Sequence, residues 1–190
     1  MEGKLILVVS PAGGGKSTLL KYLREQMPEI VFPVSCTTRP MRPGEVDGAV
    51  YHFISDEDFQ ARAARDEFLE WVYTDGKRYG TLISEIVPAV EAGKTVVREI
   101  DIKGFYKIQD ILPKENVRTI YIDAGTWDDL EKRIVARAPI EQTELASRRA
   151  RFEAEAPFKD HADIVVKNPD GGLEVAKHDF VAAVQTLSAK

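Results

Sequence analysis

Ser10-Pro11-Ala12-Gly13-Gly14-Gly15-Lys16-Ser17-Thr18 stands between an apolar run, Leu5-Ile6-Leu7-Val8-Val9, and the segment Leu19-Leu20-Lys21-Tyr22-Leu23. The order reads as strand, glycine loop and helix, which is the context a phosphate-binding P-loop requires. Three successive glycines permit positive φ and bring several backbone N–H groups near one anion without interference from Cβ atoms. The helix that follows points its N-terminus, with free N–H groups and a favourable dipole, at the same spot. Lys16 is then placed to reach the β- and γ-phosphates of a nucleoside triphosphate, and the Ser17 hydroxyl to ligate Mg²⁺. The pattern G-x-x-x-x-G-K-[ST] opens on glycine, and here Ser10 holds that position.

Composition sets the bounds around this loop. A chain of 190 residues, 44% hydrophobic and 30% charged, fits one domain with room for insertions. No apolar run approaches the ~18 to 20 residues of a membrane span. Met1-Glu2-Gly3-Lys4 leads only into a run of strand length, so no signal peptide is expected and the expected compartment is the cytoplasm. Cys36 is the only cysteine, which excludes an internal disulfide and a Cys-based zinc site. A net charge of −5 argues against a general nucleic-acid binder. Neither nucleic acid nor membrane is an expected partner, and monomer and homodimer both stay open.

Outward from the loop, strand and helix signals alternate. Ile30 to Val34 reads as a short strand, Tyr51 to Ile54 as another, and Ser55 caps an acidic helix start that runs to about Arg65. Phe68 to Tyr73 and Arg78 to Thr81 flank Asp75-Gly76, a strong hairpin signal. A helix from about Ile86 carries Pro88 in its first turn and ends at Gly93. Thr95 to Asp101 and Arg118 to Asp123 are further core strands. Thr126 caps a helix that holds Arg133 and Arg137 on one face and stops at Pro139. A second basic helix with Arg148, a strand at Ile164 to Val166 and an amphipathic helix from Leu173 to Leu187 close the sequence. Strands separated by helices predict an α/β fold with a parallel sheet covered on both faces. The stretch from Ser35 to Thr81 breaks that alternation and reads as an inserted subdomain, irregular between Ser35 and Gly48.

Within the insertion lies Ser35-Cys36-Thr37-Thr38-Arg39-Pro40-Met41-Arg42-Pro43-Gly44-Glu45-Val46-Asp47-Gly48, followed by Tyr51-His52-Phe53. Two arginines three apart can converge on one phosphate through their planar forks, with tyrosine hydroxyls completing the oxygen shell. The ordered set T-T-R-x-x-R-x-G-E-x-x-G-x-x-Y-x-F after a P-loop resembles the guanylate kinase family. The resemblance continues in Glu70-Trp71, Tyr79-Gly80-Thr81, Glu99-Ile100-Asp101 and the arginine-bearing helices as far as Asn168, nearly the whole chain.

That resemblance implies a P-loop three-layer fold with a parallel core sheet (1–34, 82–125 and 157–190), a GMP-binding insertion (35–81) and a helical lid (126–156). It implies an ATP-dependent kinase acting on GMP or dGMP, with Mg²⁺ accompanying ATP. ATP would be held by Ala12, Gly13, Gly14, Gly15, Lys16, Ser17, Thr18 and, near the adenine, Asn168. The GMP phosphate would be held by Ser35, Arg39, Arg42, Tyr51 and Tyr79, and the guanine by Glu70, Thr81 and Ser35. Glu99 and Asp101, at the end of a Walker B-like strand, would organise metal-bound water or contact the accepting nucleotide. Lys16, Arg39, Arg133, Arg137, Arg148 and Asp101 would carry catalysis. The chemistry of guanine agrees independently: N1–H and the 2-amino group are adjacent donors that an ionised carboxylate accepts together, whereas adenine presents an acceptor at N1.

Three further positions depart from the family pattern. Arg98 replaces an aliphatic strand residue and, if buried, requires a carboxylate or carbonyl partner; Lys103 stands for glutamine; Lys77-Arg78 replaces a polar-aromatic pair. Two other readings compete. A sugar-phosphate kinase on the same scaffold leaves Glu70 and Thr81 without a base to recognise. A non-catalytic guanylate-kinase-like binding module does not need the Lys16 and Ser17 present here.

Overall fold

β1 (Lys4–Val9) is buried along its whole length, the pattern of a strand covered on both faces. It pairs in parallel with β6 (Thr95–Glu99) on one side and β7 (Val117–Asp123) on the other, and β7 pairs in parallel with β8 (Ile164–Lys167). The core sheet therefore runs β6-β1-β7-β8. This computed structural model describes every residue except Met1, Ala12, Val50, Asp75, Asp101, Ala138, Pro139 and Lys190, and only the backbone of Thr74, Ile102, Lys103, Gly104 and Arg137. The roles expected of Ala12 and Asp101, the Arg137 side chain and the helix stop at Pro139 lie outside the described residues.

Side chains alternate across the sheet. Ile6 and Val8 pack with Leu19 and Leu23 of α1 (Lys16–Gln26) and Phe180 and Val184 of α7 (Leu173–Ser188). Leu5, Leu7 and Val9 face the other way, toward Ile86, Val90 of α3 (Val87–Glu91) and Ile108 of α4 (Ile102–Ile108). Two helical layers around a parallel sheet give the expected α/β three-layer arrangement.

A second sheet, of order β3-β2-β5-β4, comprises β2 (Cys36–Thr37), β3 (His52–Phe53), β4 (Phe68–Thr74) and β5 (Lys77–Leu82). Its hairpin turns at Gly76, whose φ of 71° is the left-handed conformation that the turn demands. Phe59 of α2 (Asp56–Ala64) stacks on Phe68 at 4.3 Å between ring centres, beneath Cys36 and Leu82. Ser55 caps α2 by accepting from the Asp58 N–H at 3.0 Å. A fourth apolar cluster joins Trp127 and Ile134 of α5 (Trp127–Arg137) to Leu145 of α6 (Gln142–Glu155). Among the described residues no helix is long and apolar enough to cross a membrane.

Several local expectations need correction. Ile30 to Val34 is not a strand: Val31 alone bridges to Val96, donating to Thr95 O at 3.0 Å and accepting from Val97 N at 2.9 Å. Pro33 has no N–H with which to continue the ladder. Of Tyr51 to Ile54 only His52 and Phe53 are strand, and the supposedly irregular loop before them contains β2. The helix α4 has no counterpart in the sequence reading.

Candidate active site

The loop after β1 delivers Gly15, with φ 92°, to the N-cap of α1, where no side chain caps the free N–H groups. These are the groups an incoming phosphate would accept from. Ser10 fits at the loop entrance because Gly14 lacks a side chain: a Cβ there would collide with Ser10 Oγ. Lys16 Nζ donates to the Ser10 carbonyl at 2.6 Å. Burial lowers the Lys16 pKa from the ordinary lysine value, and the nearby Glu99 carboxylate opposes that shift. Asn168, buried at the end of β8, donates its amide to Gly14 O at 3.0 Å. Asn168 thereby braces the loop.

A cleft of about 800 Å³ opens over the loop, with Lys16, Ser17, Glu99, Arg133 and Arg148 on its walls. Arg133, from α5, donates to Asp170 at 2.9 Å and to the Asn168 carbonyl at 2.9 Å. Arg148 of α6 is held by Glu144, one turn before it, through bonds of 2.6 and 3.1 Å. Both guanidinium groups thus stand over the loop, already oriented by carboxylates that an anionic ligand would displace or join.

An adjoining cleft of about 630 Å³ shares Ser17 and Glu99 with the first and is walled by Ser35, Tyr51, Glu70, Tyr79 and Arg98. Here Thr81, fully buried on β5, donates its hydroxyl to Glu70 Oε1 at 3.0 Å. That donation uses the only Thr81 proton, so Ser35 Oγ donates in its 3.2 Å contact with Thr81. Arg98 Nη2 donates to the same Glu70 oxygen at 3.1 Å, which supplies the partner expected for this arginine. The Tyr51 and Tyr79 rings meet edge to face at 5.8 Å. Arg39 lies over Tyr51 and Phe53, its fork bound to Glu45 at 2.8 and 2.9 Å, while the Arg42 N–H also donates to Glu45 at 2.7 Å. The Arg39 hydrogen bond holds the Glu45 carboxyl below the usual carboxylate range.

One cleft therefore offers cations and helix N–H groups suited to a polyphosphate. The other offers a carboxylate and two hydroxyls suited to a donor-rich base edge. They meet at Ser17 and Glu99, so ligands in both would be neighbours.

The family model described as guanylate kinase matches residues 2–185. The chain is 36% identical over 190 residues to the guanylate kinase of Thermotoga maritima, covering all of this chain and 90% of that protein. It is 38% identical over 187 residues to the guanylate kinase of Nostoc sp., covering 98% of this chain and 88% of the relative. This chain belongs to the guanylate kinase family. The solved guanylate kinase of Anaplasma phagocytophilum superposes with a TM-score of 0.65 over 99% of this chain and 87% of that one, at 24% identity, which shows the shared fold.

Within the guanylate kinase fold, the structure brings Lys16, Ser17, Glu99, Arg133 and Arg148 to one cleft and Ser35, Tyr51, Glu70 and Tyr79 to the next, with Thr81 behind Glu70. Gly13 and Gly14 line the first cleft as well, and Thr18 begins the exposed face of α1 beside them. The Arg39 guanidinium is held by Glu45, whose carboxylate also accepts from the Arg42 backbone N–H, and neither arginine lines the second cleft. The sequence reading missed Lys21 and Arg24, which line the second cleft with Ser17. Their spacing from Ser17, i+4 and i+7 along α1, was the available signal.

Proposed function

We propose that this protein transfers the γ-phosphoryl group of ATP to GMP or dGMP, giving ADP and GDP or dGDP. The observation that carries the reading is the Ser35–Thr81–Glu70 chain of hydrogen bonds, set in a cleft that meets the P-loop cleft at Ser17 and Glu99. A carboxylate beside two hydroxyls matches the guanine edge, N1–H and the 2-amino group on Glu70 and the carbonyl oxygen near Ser35. A base with an acceptor at N1 would leave Glu70 partly buried and unmatched, and such polar mismatches discriminate by roughly 10⁴ or more.

In the proposed reaction an oxygen of the GMP phosphate bonds to Pγ as the bond from Pγ to the β,γ-bridging oxygen breaks. The attacking phosphate, with a second pKa near ~6, is already mostly dianionic at neutral pH, so no general base is required. The protein's task is alignment and charge compensation. Lys16 and the α1 N–H groups hold the donor phosphates. Arg133, Arg137 and Arg148 neutralise charge on the transferring group. Arg39, Arg42, Tyr51 and Tyr79 seat the acceptor phosphate, and Glu99 and Asp101 organise metal-bound water or contact the accepting nucleotide. Residues 35–81 act as the acceptor subdomain and 126–156 as the lid over the core.

Mg²⁺ fits this donor set: an exposed Ser17 hydroxyl at the first turn of α1 and the Glu99 carboxylate on the same wall are hard oxygen groups around a triphosphate site. When bound, the ion would offset the negative charge of the phosphates beside Ser17 and Glu99. The proposed setting is the cytoplasm. Steady-state turnover with ATP, Mg²⁺ and each of GMP, dGMP, AMP, UMP and CMP tests the reading: GDP formation from GMP is expected, and its absence sinks the proposal.

A further inference from the structure

Arg98 stands on β6 where the family pattern has an aliphatic residue, and its guanidinium lies in the wall of the acceptor cleft. The side chains of Arg98 and Glu70 are 21% and 22% exposed, so their 3.1 Å contact is largely shielded from water. Each carboxylate oxygen carries two lone pairs. Glu70 Oε1 already accepts from Thr81 at 3.0 Å and from Arg98 at 3.1 Å. Among the described residues nothing donates to Oε2, which is the oxygen left for a ligand.

Full recognition of guanine by a carboxylate assigns one oxygen to N1–H and the other to the 2-amino group. With Oε1 filled, both donors must converge on Oε2, or one must expel Arg98. Expulsion is costly, because Arg98 Nε is buried with no acceptor among the described residues and the head group would lose its remaining contact with Glu70. Hypoxanthine keeps N1–H but carries only C2–H in place of the amino group, so Oε2 alone satisfies it.

We infer that Arg98 is a specificity-determining residue: by occupying one oxygen of Glu70 it reduces the weight of the purine 2-amino group, so that IMP competes with GMP better than it would with an aliphatic side chain at this position. The inference rests on the reading of the second cleft as the guanine nucleotide site. It sets Arg98 apart as a positioning residue for Glu70, with no role in moving the phosphoryl group.

Calorimetric titration of the intact protein with GMP and with IMP, alongside turnover, tests it. The wild-type affinity ratio of GMP to IMP is expected on the order of tenfold or less; a ratio of a hundredfold or more overturns the inference without any variant. Arg98→Met should raise that ratio by roughly tenfold, the weight of part of a charge-assisted hydrogen bond, through tighter GMP binding and with kcat little changed. Arg98→Lys, which retains a charged donor, should stay near wild type. In a Glu70→Gln background the Arg98→Met effect on the ratio should vanish. An unchanged ratio in Arg98→Met, or an effect that persists without the Glu70 carboxylate, overturns the role of Arg98. GMP binding without GDP formation would instead sink the proposed reaction and leave the ratio readable, and absence of GMP binding overturns both.

Discussion

The core sheet and the smaller sheet differ in what holds them. Every residue of β1 is buried, and its neighbours on both faces are aliphatic or aromatic. The smaller sheet has two strands of only two residues, a modest apolar cluster around Phe59 and Phe68, and the arginine–carboxylate pairs Arg39–Glu45 and Arg78–Asp56, both at 2.8 Å, while Arg98 of the core strand β6 reaches across to its Glu70 at 3.1 Å. Ion pairs of this kind give back much of their Coulomb attraction in lost hydration, whereas close-packed apolar layers supply most of the stability. Rigidity is therefore concentrated under the P-loop. The acceptor side is organised by charged groups that can exchange one another for a ligand's oxygens and donors. A substrate seated there as proposed would compete with Glu45 for Arg39 and share Glu70 with Arg98.

Substitutions on the two sides should separate these characters. Phe180→Ala opens a cavity where α7 meets the core sheet, and denaturant unfolding should show a loss of about 3–5 kcal/mol. An unfolding midpoint near wild type would refute the division of labour. Next in size, Lys16→Ala should lower kcat by roughly 10²–10³ as a phosphate-directed cation is lost. GMP affinity, measured by titration, should change little. Glu70→Gln should reduce kcat/KM for GMP by about tenfold to a hundredfold, because one of two acceptors becomes a donor. The KM for ATP should hold, and an equal loss for both nucleotides would mark Glu70 as a structural residue of the hairpin.

The smallest effect concerns pH. Burial pushes the Cys36 thiol up to about 11 and the Tyr121 phenol up to about 12. Both folded values exceed the ordinary ones of 9.0 and 10.0, so the folded chain holds protons that the unfolded chain gives up. Their stabilisation is complete below pH 9 and is lost as pH rises toward 11 and 12. Unfolding midpoints followed from neutral to alkaline pH should fall across that window. At pH 8 a thiol reagent should label Cys36 far more slowly in the folded than in the denatured chain, since only about 10⁻³ of the folded thiol is ionised.

The same contrast governs what could be read from the sequence. Leu5 to Val9 and Ile120 to Ile122 announce buried parallel strands because burial on both faces leaves continuous apolar runs, and Asp75-Gly76 announces its hairpin through turn chemistry. These signals are local. Val31 joins the core sheet through a single bridge, and β2 and β3 are too short to carry a period. Within the site, residue types and spacing located Lys16, Ser17 and Glu70, but their partners are set by tertiary contact. Arg98 reaches Glu70 across 28 residues, and Glu45 draws off both Arg39 and the Arg42 N–H. Asn168 has its amide on the loop for the same reason: nothing near it in sequence specifies a partner 154 residues away.

That last contact also orders events during synthesis. The Gly14 carbonyl waits for an amide that leaves the ribosome 154 residues later, and α1 waits for Phe180 and Val184 to complete its apolar layer. The P-loop is translated well before the strand and helix that complete its surroundings. A nascent chain halted before residue 168 carries the whole glycine-loop motif without the Asn168 amide that braces it.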